Sequence, residues 1–548
     1  MWIDRGRWCP VCILHAMRHP WRAAKRQRTI LGMHLRGGWP RVVVPGLIVV
    51  AATSLPYVLA TVLQPEGYVF GGFLLNPLDG FSYLAKMRQG AGGTWLFHLP
   101  YSAQPGEGAF LFVYYLFLGH LGRLLHTPPL AVFHLARGLG ALAMYGIGAA
   151  FLGRFLPQGE GRRWAWQATL IGSGWGWLGI PAGLLALDLW VPEAVPFLSA
   201  YASAHFALSM AVVWLAGLCI FPGMETRRRI VVAAACGVAL SLLQPFAVAA
   251  LGLVSIIWLV IEALAKRRSA DPVSIRSALS TLAVFGLAAA PVLVYDVWAV
   301  TANPSLAGWN RQNLTPSPSL LETGLAFLPL LAVAMPVLWT RASWKNPAVR
   351  FLVVWGAANL VLLYAPFGLQ RRLVLGLYLP LAVLAGMGVS ALARWRRWLP
   401  TAVILLTLPS HLVVVGAGLA AALTQDPRLV LTVDEVSAYR WMDANLPANA
   451  LVLAGARAGN RIPAFADVRV VYGHPFETPS AASEQIWVEA AFAWRGEADG
   501  LVEDLRAREV EYVYVGIEER ALGPLNWLST LAPEFESGES AVYWIPPP

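Results

Sequence analysis

Residues 230–264 read IVVAAACGVALSLLQPFAVAALGLVSIIWLVIEAL, a run of 35 residues that contains one charged side chain, Glu262. Three arginines (227–229) precede the run, and a Lys-Arg-Arg triplet (266–268) follows it. A membrane-spanning helix needs about 20 apolar residues, so the run is long enough for two crossings. The Gln-Pro pair at 244–245 marks the turn between them, because proline interrupts a helix. Since basic residues collect on the cytoplasmic side, both ends of this predicted hairpin lie inside.

The rest of the chain continues this pattern. It is 57% hydrophobic and 13% charged, whereas about a quarter of the residues of a soluble domain are charged. Further apolar runs of membrane-crossing length lie at 42–63, 130–153, 164–187, 200–222, 278–299, 320–340, 351–366, 373–392 and 400–422. We therefore predict a polytopic α-helical membrane protein with about eleven crossings.

The basic residues orient these crossings. Nine Lys or Arg residues among 1–41, and those of 341–350 and 394–397, mark the cytoplasmic side. The loops 64–108, 188–199, 300–319 and 365–372 then fall outside. A crossing by residues 109–126 would move every later loop to the wrong side, so we predict a juxtamembrane or re-entrant helix there. The count places the N-terminus in the cytoplasm and the C-terminus outside, and the first span acts as an uncleaved signal.

Three regions follow from this arrangement: a basic cytoplasmic segment (1–41), a transmembrane domain (42–422) and an extracytoplasmic domain (430–548). The last region has a net charge of −10, whereas the remainder has +20. Short strand-like runs alternate with helical stretches there, which predicts a small three-layer α/β domain. The predicted strands are 450–454, 468–472, 512–515 and 541–545, and the predicted helices are 432–446, 481–494, 499–509 and 525–532. Because the basic clusters flank apolar spans, they indicate topology and exclude a nucleic-acid-binding role.

The N-terminal segment contains Cys9 and Cys12 in a CxxC pattern. A metal or redox site needs a fold that holds its ligands, and this segment has no apolar pattern from which to build one. Cys219 and Cys236 lie inside apolar spans and are interpreted as core residues. We expect residues 1–32 to be dispensable, with Met33 as an alternative start.

The first outer loop contains NPLDGFSYLAKMR at 76–88. A carboxylate at a membrane face beside two cations suits group transfer from a lipid phosphate: Asp79 as general base, Lys86 and Arg88 toward the phosphate. The competing interpretation is structural. In it, Asp79 caps a loop helix and the two cations lie among lipid headgroups.

The layout resembles that of the C-type (GT-C) integral-membrane glycosyltransferases, which include protein O-mannosyltransferases and aminoarabinose transferases. An acidic residue soon after span one and an external C-terminal α/β domain support the resemblance. The motifs that support it are Asp79-x-x-x-Tyr83, Ser199-x-Tyr201-x-x-x-His205-Phe206 and Gln370-Arg371-Arg372.

The resemblance implies transfer of a sugar from a polyprenyl-phosphate donor to a glycan, lipid or protein acceptor on the outer face. Asp79 is then the catalytic base, and Arg371 and Arg372 hold the donor phosphate. The residues expected to bind substrate are Tyr83, Lys86, Arg88, Asp188, Tyr201, His205, Arg371, Arg372 and His474. No cofactor is expected. Many relatives carry paired acids in the loop, whereas Asp79 has no carboxylate neighbour in sequence, so no motif here supports a divalent cation.

Other acidic residues and one histidine are further candidates for the site. Asp188 or Glu193 could supply a second acid, and the loop of His474 and Glu477 follows a predicted strand, where α/β domains gather functional residues.

The alternative function is a non-catalytic transporter or flippase of a lipid-linked envelope precursor. Transporters tend to have inverted halves with interrupted helices, and the sequence shows no such symmetry. A third alternative is an accessory protein of envelope synthesis.

Overall fold

A computed structural model describes residues 40–265, 275–392 and 398–547. The predictions on Cys9, Cys12, the basic residues of 1–39, the triplet 266–268 and residues 394–397 lie outside the described residues. Within the described ranges, seven helical segments are long and apolar enough to cross a membrane, and Ala204–Ile220 and Pro347–Leu362 are shorter apolar helices.

The helices of the membrane domain follow the predicted spans closely. In chain order they are α1 (Pro40–Val62), α2 (Pro77–Ala91), α3 (Val113–Leu125), α4 (Pro129–Phe155), α5 (Glu160–Ile171), α6 (Leu187–Trp190), α7 (Pro196–Ala202), α8 (Ala204–Ile220), α9 (Thr226–Leu243), α10 (Pro245–Ala265), α11 (Ile275–Ala302), α12 (Pro304–Gln312), α13 (Leu320–Trp339), α14 (Pro347–Leu362), α15 (Tyr378–Leu392) and α16 (Trp398–Leu423). Short 3-10 helices lie at Gly176–Leu178, Ile180–Ala182, Pro192–Ala194, Ser343–Lys345 and Gln370–Val374. The run 230–264 divides between α9 and α10 at Gln244, as predicted.

One predicted span is wrong in form. The helix expected over 164–187 ends at Ile171, and two 3-10 helices and a short loop replace its second half. Residues 172–183 contain five glycines and one proline, which have the lowest helix propensities. The span expected over 200–222 is likewise divided, because extended Ser203 separates α7 from α8.

The directions of neighbouring helices bear on the topology. Gly46 of α1 lies against Tyr145 of α4, whereas Thr53, farther along α1, accepts a hydrogen bond from Arg137. The two helices are therefore antiparallel, so residues 63–128 make no net crossing between them. This agrees with the prediction that 109–126 does not span the membrane. The number of crossings and the sides of the two termini stay predictions.

The loop between α1 and α4, predicted to lie outside, forms a compact helical layer. Helix α3 crosses α2 with their backbones in contact, since a Cβ atom on Gly90 would collide with the carbonyl of Leu116. Gly119 makes the reciprocal approach to the carbonyl of Met87. Glycine is required at both positions for this crossing.

The C-terminal region forms the predicted α/β domain. Its elements are β2 (Val430–Thr432), α17 (Val433–Asn445), β3 (Ala450–Leu453), α18 (Ala456–Phe465), β4 (Val468–Val470), α19 (Ala481–Phe492), α20 (Ala498–Ala507), β5 (Tyr512–Val515), α21 (Ile517–Leu522), β6 (Pro533–Ser537) and β7 (Ser540–Trp544). The sheet order is β4-β3-β5-β7-β6, with the first three strands parallel. Helices cover both faces, which gives the three predicted layers. Residues 525–532 were expected to be helical but contain only the 3-10 helix Asn526–Leu528.

This domain is joined tightly to the outer loop. Strand β1 (Tyr68–Phe70) follows the first span and pairs antiparallel with β2. The hydroxyl of Tyr101 donates to the carbonyl of Asn460 over 3.1 Å. Side chains of α2, α3, α17 and α18 share one buried cluster. The loop and the domain therefore fold as one layer above the membrane helices, which brings residues about 400 positions apart together.

Candidate active site

Asp79 lies in the first turn of α2, which begins after Asn76 in the left-handed conformation. A carboxylate is favourable there because the helix N-terminus is electropositive. The N-cap is Asn76, the residue before the helix, and its side chain makes no capping hydrogen bond. The structural interpretation of Asp79 as a cap is therefore wrong. A Cβ atom on the next residue, Gly80, would collide with the ring of Phe73, so glycine lets that ring pack under the turn.

Asp79 faces a recess at the junction of α2 with the membrane helices. About 240 Å³ of unfilled space lies at the recess, and this figure includes space that is open to solvent. It is lined by Phe73, Leu75, Asn76, Asp79, Gly80, Tyr83, Phe133, Ala202, Ser203 and Phe206. The side chain of Asp79 is 42% exposed, although protein surrounds it, because it opens onto this space. A carboxylate in such a position is accessible to a substrate and shielded from bulk water.

The C-terminal domain supplies the nearest polar partner of Asp79. Nε2 of His474 lies 3.5 Å from Oδ1 of Asp79, and the His474 side chain is 2% exposed. Tyr101 stacks on the imidazole at a centroid distance of 5.8 Å. His474, expected as a substrate-binding residue, therefore reaches the site through Asp79.

Two arginines approach from the other side. Arg371 and Arg372 belong to the 3-10 helix Gln370–Val374, which precedes α15. The Arg371 guanidinium lies 4.4 Å from the ring centre of Trp190. The Nε atoms of both arginines are buried and have no hydrogen-bond partner. Such preformed donors suit an anionic ligand.

The charges around Asp79 decide its protonation. Burial raises the pKa of Asp79, but its interaction with His474 and the charges of Arg372 and Lys86 outweigh burial. The pKa of Asp79 therefore lies below its ordinary value, and the side chain is a carboxylate at neutral pH. The same effects show that Arg372 lies close enough to act on Asp79, although 293 positions separate them in the sequence.

Aromatic and hydroxyl groups form one wall of the recess. Tyr83 stacks on Tyr115 with ring centres 4.4 Å apart. The hydroxyl of Tyr115 lies 2.6 Å from Nδ1 of His205, and Ser203 lies 2.9 Å from the same nitrogen. Tyr83 lines the recess with Asp79, and His205 lies close enough for the Asp79 charge to act on it; the expected roles of both residues toward a substrate stay predictions. Tyr115 and Ser203 were not foreseen, because nothing in the spacing of their segments sets them apart.

Lys86 requires a correction. Its side chain is fully buried, and Nζ lies 2.8 Å from both carboxylate oxygens of Glu477. The ring centre of Phe112 lies 4.4 Å from the ammonium. Glu477 also accepts a hydrogen bond from Ser82 over 2.6 Å. Lys86 is therefore paired with the C-terminal domain and, in this structure, has no exposed surface with which to contact a substrate or a lipid headgroup.

Arg88 and Tyr201 also lie away from the recess. Arg88 forms an ion pair with Asp443 of α17, so it joins the loop to the C-terminal domain. Tyr201 is buried in the helix bundle with its ring centre 5.3 Å from that of Tyr57. In this structure both side chains pack against other elements, and their expected substrate contacts stay predictions.

The two candidates for a second acid lie in different surroundings. Asp188 is fully buried and accepts hydrogen bonds from the backbone N–H groups of Gly174 and Gly176, each over 3.1 Å. It ties the broken segment after α5 together and does not reach Asp79. Glu193 lies near Arg371 and Tyr83, since its charge acts on both. Of the two, Glu193 is the better candidate for a second acid, and that role stays a prediction.

The donor set does not fit a metal ion. Among residues 40–265, 275–392 and 398–547, no group of three or more His, Cys, Asp or Glu side chains could hold one. The groups acting on Asp79 are cationic or can become so, and Glu477 is already paired with Lys86. We derive no step through a metal.

The membrane bundle, the helical layer of α2 and α3 and the docked α/β domain together have the fold of two solved structures of the membrane protein ArnT. ArnT from Cupriavidus metallidurans bound to undecaprenyl phosphate is similar, with a TM-score of 0.53 at 12% identity, covering 91% of this chain and 97% of that chain. The similarity to apo ArnT from the same organism covers the same shares of the two chains, with a TM-score of 0.50 at 14% identity. The predicted fold is thus confirmed.

A more distant similarity is to AglB, the oligosaccharyltransferase of Archaeoglobus fulgidus, in complex with an inhibitory peptide and a dolichol-phosphate. Its TM-score is 0.45 at 13% identity, with 87% of this chain and 70% of that chain covered. No protein-family model matches the chain, and a search of curated proteins found none similar in sequence.

Proposed function

We propose that this protein is a glycosyltransferase that moves a sugar from a polyprenyl-phosphate donor to an acceptor hydroxyl on the outer face of the membrane. The observation that supports this most is the pairing of a recess-facing carboxylate, Asp79, with two arginines that have unpartnered Nε donors. The ArnT fold is consistent with the proposal, since that protein was solved with undecaprenyl phosphate bound.

Arg371 and Arg372 hold the donor phosphate. Guanidinium groups bind phosphate oxygens in pairs, and hydrogen bonds between charged groups are stronger than neutral ones. Both arginines precede α15, a membrane helix, so a phosphate held there has its polyprenyl chain beside the bundle. The same contacts stabilise the phosphate as a leaving group when the bond to the sugar breaks.

Asp79 acts on the acceptor. The bond between the anomeric carbon and the phosphate oxygen breaks, and the acceptor oxygen bonds to that carbon. The acceptor proton passes to Asp79, and the polyprenyl phosphate leaves with the bonding electrons. In this structure the recess has room for about one water molecule, so we expect its walls to move when donor and acceptor bind.

Donor binding strengthens the base. The charge of Arg372 helps to lower the pKa of Asp79, and a low pKa makes a carboxylate a weak base. A bound phosphate offsets that charge, so the pKa of Asp79 rises when the donor is in place. The carboxylate thereby becomes a better proton acceptor only when there is a sugar to transfer.

The test is transfer of radiolabelled sugar from a panel of polyprenyl-phosphate sugars by the purified protein in detergent or nanodiscs. We expect at least one donor to be consumed by the wild type and the rate to fall strongly in Asp79→Asn. Asp434→Asn, on α17 and hydrogen-bonded to Ser537 over 3.0 Å, is the matched control and should retain the wild-type rate. Movement of intact donor across vesicles without transfer would instead support a flippase.

A further inference from the structure

We propose that His474, supplied by the C-terminal domain, is a positioning residue for Asp79: its Nε2–H donates to Oδ1 and holds the carboxylate toward the recess. This inference rests on the proposed function for its catalytic meaning. The geometry that supports it does not depend on which sugar is transferred. On this account the outer domain is a part of the active site, in addition to covering it.

The hydrogen bonds of the ring assign its tautomer. Nδ1 of His474 accepts from the backbone N–H groups of Phe476 and Glu477, each over 3.2 Å. A nitrogen that accepts two N–H groups carries no proton, so in the neutral ring the proton lies on Nε2. Among the described residues, that nitrogen is buried without a hydrogen-bond partner at ordinary distance, and Oδ1 of Asp79 lies 3.5 Å from it. Catalytic hydrogen bonds are often this long before substrates bind.

The turn that presents the ring is closed on itself. Oγ1 of Thr478 accepts from the backbone N–H groups of Gly473 and His474 over 3.3 and 3.2 Å. The N–H of Thr478 donates to the carbonyl of His474 over 2.9 Å. Gln312 of α12 also donates to the carbonyl of Thr478. The imidazole is therefore held by its own turn and by an element of the membrane domain.

The same turn carries the second tie to α2. Glu477 is bonded to Ser82 and Lys86, which lie three and seven positions after Asp79. These spacings place all three residues of α2 on one helix face. His474 and Glu477 thus contact that helix face at two points. If Asp79 turned away from the imidazole, its contact with Nε2 of His474 would be lost.

Other charged and titratable groups also face Asp79. Lys86 acts from α2 and Arg372 from the 3-10 helix before α15, Tyr83 lines the same recess, and His205 is close enough for the charge of Asp79 to act on it. None of them can replace a directed N–H donor at Oδ1. Their effect on Asp79 is unchanged in a variant that alters His474 alone.

Two substitutions separate the roles of the two ring nitrogens. His474→Asn keeps an acceptor near Nδ1, so it preserves the turn, but it has no donor at the Nε2 position. His474→Gln extends to the Nε2 position and keeps a non-titrating donor there. His120→Ala is the control, because that ring stacks on Trp95 in the outer layer and does not contact Asp79.

The readout is the pH midpoint at which Asp79 becomes reactive to a water-soluble carbodiimide, measured by peptide mass spectrometry. Carbodiimides react with the protonated carboxyl, so the midpoint reports the protonation of Asp79 without any sugar donor. We expect the midpoint to rise by about one pH unit in His474→Asn, the size expected for a lost hydrogen bond to a charged group. His474→Gln and His120→Ala should stay near the wild type.

Each outcome decides the proposal. An unchanged midpoint in folded His474→Asn overturns it, as does an equal rise in His474→Gln, which would show a general effect of changing the ring. If His474→Asn does not fold, a wild-type midpoint in His474→Gln supports the donor role and a raised midpoint refutes it. A shifted midpoint in a protein that transfers no sugar would leave the positioning role intact and refute the proposed function instead.

Discussion

The buried ion pair between Lys86 and Glu477 predicts an unusually damaging conservative substitution. In Glu477→Gln the ammonium of Lys86 stays buried among aromatic rings without a carboxylate, because its side chain has no exposed surface. Removing one partner of a buried pair costs about 3–5 kcal/mol. Burial raises the pKa of Glu477, but the Lys86 charge more than offsets this, so the pKa is lowered. The ionised Glu477 therefore stabilises the fold above its unfolded-state pKa, and this stabilisation is lost as the pH falls through the lower pKa of the folded state.

The assay is thermal unfolding in detergent, with the C-terminal domain followed by limited proteolysis. A matched control is Glu484→Gln, which breaks the pair of Glu484 with Arg508, 3.0 Å apart and partly exposed. Partly exposed pairs contribute about 0–1 kcal/mol, so this control should change little. Lys86→Met with Glu477→Gln should recover most of the loss, since no buried charge then remains. Equal effects of the two single substitutions would refute the interpretation of Lys86 as a buried, structural cation.

Three further predictions follow from the site. Arg371→Ala should raise the KM for the donor by about 10–100-fold, since a charged hydrogen bond contributes about 1.5–3 kcal/mol, and it should also lower kcat because the same contact stabilises the leaving phosphate; an unchanged KM would contradict a phosphate-binding role. Because the pKa of Asp79 is lowered and a bound phosphate offsets that effect, activity should fall as the pH decreases, and the acid limb of kcat should lie at higher pH than that of kcat/KM. Coincident limbs in the pH–rate profiles would show that donor binding does not alter Asp79. Asp188→Ala leaves two buried N–H groups without an acceptor, so it should destabilise the fold by about 1–3 kcal/mol in a melting experiment and leave kcat unchanged; a selective loss of kcat would place Asp188 back at the site.

The membrane architecture was largely predictable, because apolar length and basic loops report directly on lipid. The division of residues 230–264 at Gln244 and the non-spanning helix α3 both follow from such local signals. The break after Ile171 was missed, since its apolar composition suits a span while its glycines do not suit a helix. Hydropathy there favours a membrane helix, whereas the low helix propensity of glycine opposes one, and the backbone follows the helix propensity.

The site was predictable only in part. Asp79 and Arg372 stand out by type and position, but Lys86 was misassigned because its partner lies 391 positions away. The spacing of Asp79, Ser82 and Lys86 on one helix face was a usable sign that another element binds that face. It could not show that the element is the turn of His474 and Glu477, because docking of the outer domain depends on tertiary packing.

The most direct test of the account is a single-turnover measurement of sugar transfer with saturating donor, in wild type and Asp79→Asn. This substitution keeps the shape and the place at the helix N-terminus, and it removes the proton acceptor. We predict a rate lower by about 10²–10⁴-fold, the range for loss of a general base, with donor binding and melting temperature nearly unchanged. A rate within a few fold of the wild type would contradict the assignment of Asp79 as the base.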